Sequence, residues 1–372
     1  RRSRQVGGVS RRRSHDVTDD DDPRSTHGTP ALDCPVPFGA YERITLAHGS
    51  GGRLAARLVH EVFITTFDTP ELHAAHDAAT LAFEGRLAVT TDAFTVSPLF
   101  FPGGDLGSLA VHGTVNDLAC AGAEPLAMTV AFVLEEGLEL SVLSKLVRSL
   151  ADAARTAGIR VVAGDTKVVE RGRGDRVYVA CTGLGRVIRP LAPLGPHAIE
   201  PGLAILVSGP LGDHGTAVLL ARDPRGVEVD LVSDAASVWP LARALLEADV
   251  ALRCLRDPTR GGLVAIAHEL AGSAHTFVLD EASIPVRPEV ADVCELLGLD
   301  PLHVASEGRL VAFVEANDAD RALALWHAMG ATDAAIVGTV RPRDVAPVVL
   351  RTRLGSARVL DLPAGEPMPR IC

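Results

Sequence analysis

The sequence has few aromatic residues and no closely spaced cysteines. Aromatic residues make up 4% of the 372 residues and hydrophobic residues 47%, so the core should consist mainly of Ala, Val and Leu, as in α/β proteins. The six cysteines include no CxxC pair and no Cys/His cluster, which argues against a structural zinc site. We expect most of them to be buried as small hydrophobic residues of a protein from a reducing cytoplasm.

Several common signals are also absent. No uninterrupted apolar run approaches the roughly 18 residues of a membrane span. No apolar stretch follows Arg11, Arg12 and Arg13, so an export signal is not expected either. The net charge of −11 argues against a nucleic-acid binder, although it is compatible with metal-assisted nucleotide binding. The chain contains neither a Walker A loop nor a GxGxxG fingerprint.

The pattern along the chain predicts two α/β domains and two tails. Residues 1–37 mix arginines, an acidic run, Ser, Gly and Pro, and should form a disordered extension, whether a real tail or a product of start-site choice. Residues 38–190 should form the first domain, and 191–345 the second, because the segment 189–202 is rich in Pro and Gly. Residues 346–372 should form a flexible tail that carries a terminal cysteine.

Apolar spacing predicts the main elements within these domains. Strands are predicted at 86–91, 126–134, 159–163, 177–182, 203–208, 310–314 and, as the last strand, 334–340. Helices are predicted at 140–157, near 241–248 and 262–271, and from a cap at 317 or 318 to 329. The helix at 140–157 should end at Gly158.

Aspartates beside predicted strands carry the strongest chemical signal. Rigidly held carboxylates at strand ends are hard ligands that suit Mg²⁺ bridging phosphates. Each Asp alone is more often a turn or cap residue, and Asp117 could simply cap the helix after it. Several of them beside Gly- or Thr-rich loops are a stronger sign of a metal and nucleotide site. The candidates are Asp77, Asp92, Asp117, Asp165 and Asp257.

Three further features add candidates to this site. The segment HGSGG (His48, Gly49, Ser50, Gly51 and Gly52) precedes an amphipathic stretch, and its amides could approach an anion, or it could be a flexible loop. Lys167 in GDTKV could neutralise a phosphate, and Glu307 in ASEGRL could act as a general base. The alternative for both is an exposed charge at a strand end.

The sequence ends in PAGEPMPRIC, so its last side chain is the thiol of Cys372. The prolines before it favour an extended segment with reach. On the tail alone, a frayed end that happens to finish in Cys is the simpler interpretation. The acidic loops favour a second one, in which a mobile thiol is presented to a site and to partners.

Taken together, these motifs resemble the HypE family of hydrogenase maturation proteins. The resemblance rests on HGSGG, TDAF, HGTVNDLACAGAEP, AGDTK, RDPTRGG, ASEG and the terminal PRIC, in this order from about residue 48 to 372. PRIC is the most specific element. The internal motifs are shared with ATP-using relatives such as aminoimidazole ribonucleotide synthetase, selenophosphate synthetase and thiamine-monophosphate kinase. The extension 1–37 has no place in the family pattern.

The resemblance implies a two-domain PurM-like α/β fold of the α+β type. Its N-terminal domain would dimerise through a barrel-like sheet interface, and a C-terminal α/β domain would follow. ATP and Mg²⁺ would bind in a cleft lined by all five candidate aspartates. His48, Gly49, Gly51, Gly52 and Lys167 would complete the nucleotide site.

The resemblance also implies a reaction. A partner carbamoyltransferase, HypF-like, would carbamoylate Cys372, and ATP would then drive dehydration of the S-carboxamide to a thiocyanate. The cyanide would pass to iron on a HypC–HypD-like scaffold, for the [NiFe] hydrogenase site. Because phosphorylation turns an amide oxygen into a good leaving group, Mg²⁺ and Lys167 would offset phosphoryl charge, and Glu307 would take the N–H protons.

The residues by themselves are also compatible with two other functions. One keeps the ATP site but acts on a free small molecule, as a kinase or a selenophosphate-synthetase-like enzyme does, and leaves the tail unexplained. The other is a non-catalytic maturation scaffold, which leaves the aspartates unexplained.

Overall fold

A computed structural model of the chain describes residues 41–74, 76–189, 194–223, 229–362 and 368–372. The predicted extension 1–37 lies outside these ranges, as do part of the predicted boundary at 189–202 and the tail prolines 363 and 367. In these ranges no helix is long and apolar enough to cross a membrane.

Strands and helices alternate through most of the described chain. The strands are β1 (Leu87–Phe94), β2 (Phe100–Phe101), β3 (Gly104–Asp105), β4 (Ala123–Glu135), β5 (Arg160–Val169), β6 (Val177–Val187), β7 (Ala204–Val207), β8 (Leu252–Arg256), β9 (His275–Asp280), β10 (Val311–Val314), β11 (Ala335–Pro342), β12 (Val348–Arg351) and β13 (Ala357–Val359). The α-helices are α1 (Arg53–Leu58), α2 (Thr65–Phe67), α3 (Pro70–His73), α4 (Leu106–Cys120), α5 (Leu140–Ala157), α6 (Asp213–Arg222), α7 (Trp239–Glu247), α8 (Gly262–Ala271), α9 (Pro288–Leu297) and α10 (Ala319–Ala328).

The N-terminal domain is a four-stranded sheet with helices on one face. Its strand order is β1-β6-β4-β5, and only the β4–β5 pair is parallel. Helix α4 packs against β1, β4 and β6, and α5 packs against α4. The apolar residues that predicted α5 are buried, and Gly158 adopts φ 72° at its C-terminal end, where a side chain would be disfavoured.

The C-terminal domain contains a seven-stranded sheet in the order β13-β12-β9-β11-β7-β10-β8. All its pairs are antiparallel except β9–β12. Strands β7 and β10 are buried on both faces, so they appear in the sequence as continuous apolar runs. The mixed two-domain α/β architecture confirms the predicted fold class.

Most predicted elements are present, and one prediction about the end of the domain is wrong. Helices α5 and α8 begin and end at the predicted residues. The strand at 334–340 is not the last one, because β12 and β13 follow it and join the C-terminal sheet. The segment from residue 346 therefore begins with buried sheet residues, Val348 and Leu350 among them, rather than with a free tail.

Candidate active site

A cavity of about 410 Å³ lies between residues of the two domains and is acidic. It is lined by Asp92 from β1, Asp117 from α4, Asp257 after β8, Glu307 before β10, and Cys372. The structure therefore brings together three of the five predicted aspartates, the predicted base and the terminal thiol.

The two N-terminal carboxylates of this cleft stand on regular elements. Asp92 lies within β1, opposite Cys181, and its Oδ1 accepts a hydrogen bond of 2.9 Å from the amide of Ala93. Asp117 lies in the last turn of α4, where Thr90 Oγ1 donates to its Oδ2 at 2.5 Å. Since α4 ends at Cys120, the alternative that Asp117 caps a following helix is wrong.

Among the aspartates of this cleft, Asp257 has the most strongly shifted pKa. It follows β8 directly and is 7% exposed. Burial, together with the nearby charge of Asp117, raises the pKa of Asp257 to about 7. Burial also raises the pKa of Asp92. Crowded carboxylates that resist ionisation are a setting in which a cation would be favourable.

Glu307 is buried in a tightly built loop. Its amide donates to Asp234 Oδ1 at 3.1 Å, and the Ser306 hydroxyl accepts from the amide of Gly212 at 2.9 Å. A Cβ at position 308 would collide with the carbonyl oxygen of Asp234, so only Gly308 fits beside the glutamate. These contacts explain why serine and glycine flank the glutamate in ASEG.

The carboxylate of Glu307 meets the thiol of Cys372. Both side chains line the same cavity, and burial, followed by the charges of Asp257, Asp234 and Asp92, raises the pKa of Glu307 well above its usual value. Burial and the charge of Glu307 likewise raise the pKa of the Cys372 thiol. Glu307 Oε1 has no hydrogen-bond partner among the described residues, so this oxygen is available inside the cleft.

All but Gly52 of the remaining predicted residues of the nucleotide site line a second cavity, of about 310 Å³. There the glycine segment contributes His48, Gly49 and Gly51, and β5 contributes Asp165 and Lys167. Lys167 Nζ lies 2.9 Å from Asp165 Oδ2, and this pairing lowers the pKa of Asp165. Gly52 stands at the N-terminal cap of α1. A Cβ at Gly49 would approach Val168 Cβ to 2.9 Å, so the segment packs tightly onto β5.

In a single chain, the five predicted aspartates do not line one cavity. Asp77 is exposed in an irregular segment, and Asp165 lies in the second cavity rather than in the acidic cleft. Across the described ranges, no three His, Cys, Asp or Glu side chains are arranged so that they could hold a metal ion by themselves. The acidic cleft nevertheless fits Mg²⁺ held jointly with phosphate oxygens, because its oxygens are hard ligands and Glu307 Oε1 lacks a partner.

Reasoning from the sequence missed residues that hold this cleft together. Asn116 is fully buried; its Nδ2 donates to the carbonyls of Ala236 and Glu307 at 3.1 and 2.9 Å, and its Oδ1 accepts from the amide of Val238 at 2.8 Å. Arg260 also lines the cleft. Both lie in motifs that also contain a candidate aspartate, HGTVNDLACAGAEP and RDPTRGG. An asparagine directly before a candidate ligand was the feature of the sequence that could have indicated a role for Asn116.

Comparison with known proteins defines the class. Residues 75–187 match the model of the AIR synthase related protein, N-terminal domain, and residues 200–350 match that of the C-terminal domain. Together these matches cover the N-terminal sheet, the C-terminal sheet apart from β13 and the last residue of β12, and the acidic cleft except Cys372. The fold and the cleft therefore belong to a two-domain protein of the AIR-synthase-related class.

The particular family follows from full-length relatives. The chain is 48% identical over 335 residues to "Carbamoyl dehydratase HypE" of Cupriavidus necator, covering 89% of this chain and 95% of that protein. A solved structure, "Hydrogenase Maturation Protein HypE in complex with ATP", has a TM-score of 0.84 at 42% identity, covering 88% and 99% of the two chains. A second, "HypE-HypF complex", has a TM-score of 0.70 at 40% identity, covering 82% and 99%. The chain belongs to the HypE family.

Proposed function

We propose that the chain is an ATP-dependent carbamoyl dehydratase that acts on its own Cys372. The observation that carries this proposal is the position of Cys372 in the acidic cleft, which it lines together with the buried carboxylate of Glu307. A thiol seated against a base inside an acidic cleft is a substrate position. The name of its relative, carbamoyl dehydratase, supplies the group that the sulfur would carry.

The reaction converts R–S–C(=O)–NH₂ into R–S–C≡N. The carbon loses its oxygen, and the nitrogen loses two protons. Phosphate transfer from ATP makes that oxygen a good leaving group. Glu307 takes a proton from nitrogen as the nitrile forms, which is general-base catalysis by a group whose raised pKa favours proton uptake. Because Glu307 is 2% exposed, bulk water has little access to the base.

The other candidate residues would bind the nucleotide and its metal. The acidic cleft supports Asp92, Asp117 and Asp257 as Mg²⁺ ligands that share the ion with phosphate oxygens. The second cavity supports Lys167, Asp165 and the glycine segment as nucleotide-binding residues, since a lysine and two glycines of the segment line the same space. Asp77 is kept as a metal ligand only as a prediction from the motif.

The reaction also needs partners. The solved HypE–HypF complex supports a HypF-like carbamoyltransferase as the donor of the carbamoyl group. A HypC–HypD-like iron scaffold would accept the cyanide, as the family resemblance implies. A second copy of this chain is a further partner, because one face of the N-terminal sheet carries exposed apolar side chains, Leu87 and Val89 among them.

Intact-mass spectrometry tests the proposed reaction. The protein is mixed with a HypF-type carbamoyltransferase, carbamoyl phosphate, ATP and Mg²⁺, and the mass of Cys372 should first increase by a carbamoyl group and then decrease by one water. Cys372→Ala should show neither change, whereas Cys294→Ala, a buried cysteine on α9, should show both. The proposal fails if the adduct forms on the wild-type protein and never loses water.

Calorimetry tests the nucleotide site separately. ATP should bind with Mg²⁺ present and much more weakly after chelation, because Asp92, Asp117 and Asp257 would otherwise repel the phosphates. A chain without affinity for ATP in either condition would contradict the assigned cofactors.

A further inference from the structure

The last five residues of the sequence, 368–372, lie in a defined binding site, which we term the tail dock. In each of the four residues 369–372 a main-chain oxygen accepts a hydrogen bond. Their donors are Arg222 Nη1 and Nη2 at 2.9 and 2.8 Å, His214 Nε2 at 2.9 Å and Thr95 Oγ1 at 3.3 Å. Main-chain recognition of successive residues is typical of peptide-binding sites.

Arg222 links the tail to both domains. It ends α6 in the C-terminal domain, and its planar guanidinium donates to the carbonyls of Pro369 and Arg370 in the tail. The same group donates to the carbonyl of Ser97, which follows β1, at 3.0 and 2.8 Å. The amide of Ser97 in turn donates to the carbonyl of Arg370 at 3.1 Å. One side chain therefore fixes the tail against the junction of the two domains.

His214 fixes the residue next to the reactive cysteine. Its ring is fully buried, and burial lowers its pKa to about 4, so the imidazole is neutral. Nε2 must carry the proton because its partner is the carbonyl of Ile371, and Nδ1 therefore accepts from Ser233 Oγ at 2.8 Å. The amide of Ala235 donates to Ser233 Oγ at 3.0 Å and completes the chain of hydrogen bonds. The carbonyl of Ile371 therefore selects the Nε2–H tautomer, and the Ser233 hydroxyl satisfies the other ring nitrogen.

Side chains of the tail add less specific contacts. Met368 and Ile371 are 5% and 4% exposed. Arg370 forms an ion pair with Asp175 and donates from Nε to the carbonyl of Thr95 at 3.1 Å. Both members of this ion pair are partly exposed, so it should contribute little. Recognition therefore rests mainly on main-chain carbonyls and on two apolar side chains.

We infer that the tail dock is a binding site for an extended peptide that ends in cysteine, and that Arg222 and His214 are its positioning residues. The inference rests on the proposed function, for which it supplies the means of holding the Cys372 sulfur at Glu307. Because the donors of the dock bind main-chain oxygens, a free peptide with the sequence of residues 363–372 should compete with the chain's own tail for this site. Substitution of Arg370 should weaken docking of the tail less than substitution of Arg222.

Alkylation of Cys372 in the full-length protein tests the dock without ATP or a carbamoyl group. A docked thiol is protected from iodoacetamide, and peptide mass spectrometry reports labelling at this cysteine alone. Arg222→Ala should raise the labelling rate by about tenfold, which corresponds to about 1.4 kcal/mol of docking free energy. Arg222→Lys should behave like Arg222→Ala, because an ammonium cannot reproduce the planar fork. Arg243→Ala, an exposed arginine paired with Glu247 on α7, serves as the control.

Peptide competition provides an independent measurement. A synthetic peptide of residues 363–372 with serine in place of the cysteine should raise the labelling rate of wild-type Cys372 in a saturable manner, and an all-D peptide should not. The inference is overturned if Arg222→Ala and the peptide both leave the labelling rate unchanged while the melting temperature stays at the wild-type value. If both raise it and carbamoylated Cys372 is never dehydrated, the dock stands and the proposed reaction fails.

Discussion

At the scale of single residues, Glu307 and Cys372 impose an order on the reaction. Burial and the charge of Glu307 raise the pKa of the docked thiol, so it is a poor nucleophile in the cleft. Carbamoylation needs a thiolate, whereas dehydration needs a base close to the nitrogen. The first step is therefore favoured with the tail released and the second with the tail docked. Arg370 adopts φ 59°, a left-handed conformation that disfavours docking by about 1 kcal/mol and assists release.

Glu307→Gln should abolish dehydration while leaving carbamoylation intact. Glutamine preserves the shape but cannot accept a proton, and loss of a general base costs about 100-fold or more in rate. Because the pKa of Glu307 is raised, its base form accumulates only as the pH increases through that raised value, so the wild-type rate should increase towards alkaline pH. Single-turnover mass spectrometry of carbamoylated protein across a pH series measures both effects.

The control for this experiment is Glu269→Gln. Glu269 also lines the cleft, but its carboxylate is paired with Arg256 at 2.8 Å rather than with the thiol. This variant should keep the alkaline increase. Retention of the same pH profile by Glu307→Gln would assign the proton transfer to another group.

Asn116→Ala should lower the free energy of unfolding by about 2 kcal/mol, because it removes the donor to the carbonyl of the buried Glu307 and to that of Ala236. Asn116→Asp should be worse, since it places carboxylate oxygens against those carbonyls. Urea unfolding measures the difference. Ser141→Ala, at an exposed position on α5, should change the free energy of unfolding little. If Asn116→Ala changes it no more than Ser141→Ala does, Asn116 does not have the bridging role.

These residues show what sequence patterns reveal about a site. The sequence could place five residues in one cleft because their side chains are recognisable as metal ligands, bases or nucleophiles. They are Asp92, Asp117, Asp257, Glu307 and Cys372. The roles of Asn116, His214 and Arg222 were not predicted. Their partners are main-chain carbonyls far along the chain, and any residue type supplies a carbonyl, so the sequence carries no mark of the pairing.

At the scale of elements, α4 is the helix that builds the cleft. Its N-terminus is capped by Asp105, whose side chain accepts from the amides of Gly107 and Ser108. Its buried length then places Gly113, Asn116 and Asp117 along the acidic cleft and the inter-domain contact. Two glycines in a helix would ordinarily be unfavourable, by about 1 kcal/mol each relative to alanine. Here both are sites of close approach to neighbouring elements.

Gly113→Ala should therefore destabilise the protein despite its better helix propensity. A Cβ at this position would lie 2.7 Å from Phe94 Cε1 and 3.9 Å from Asp92 Oδ2. Phe94 is 2% exposed and has no room to move, so we expect a loss of about 1–3 kcal/mol and a weaker Mg²⁺·ATP affinity. Thermal unfolding and calorimetry measure the two effects. A higher melting temperature would show that helix propensity outweighs packing at this position.

The elements also differ in how well the sequence predicts them. Helix α5 was predicted to its end residues because its apolar spacing, its length and Gly158 agree. Strands β12 and β13 were missed. They have four and three residues, and β12 is specified by parallel pairing with β9, about seventy residues earlier in the chain. Short strands of this kind depend on tertiary partners rather than on local pattern.

At the scale of the whole molecule, the N-terminal sheet has an uncovered face. Strand β1 alternates, so that Leu87, Val89, Thr91 and Ala93 point away from α4 and are exposed. Opposite Val89, Thr91 and Ala93 on β6 lie the uncharged Leu184, Thr182 and Ala180, whereas Leu87 at the end of the strand lies opposite Arg186. Exposed apolar side chains grouped on one sheet face are unfavourable in water unless another surface covers them. A second copy with the same face provides matching chemistry and supports the proposed homodimer.

Val89→Glu should therefore weaken self-association by about 100-fold or more. Val89 is 60% exposed in the single chain, and a twofold interface would bury the new carboxylate near its own copy, where desolvation and like-charge repulsion both oppose dimerisation. Sedimentation equilibrium at several protein concentrations measures the association constant. Val345→Glu adds the same charge at a valine that is 87% exposed in the loop before β12, so it should sediment like the wild type. Equal association constants for the two variants would show that dimerisation, where it occurs, uses another surface.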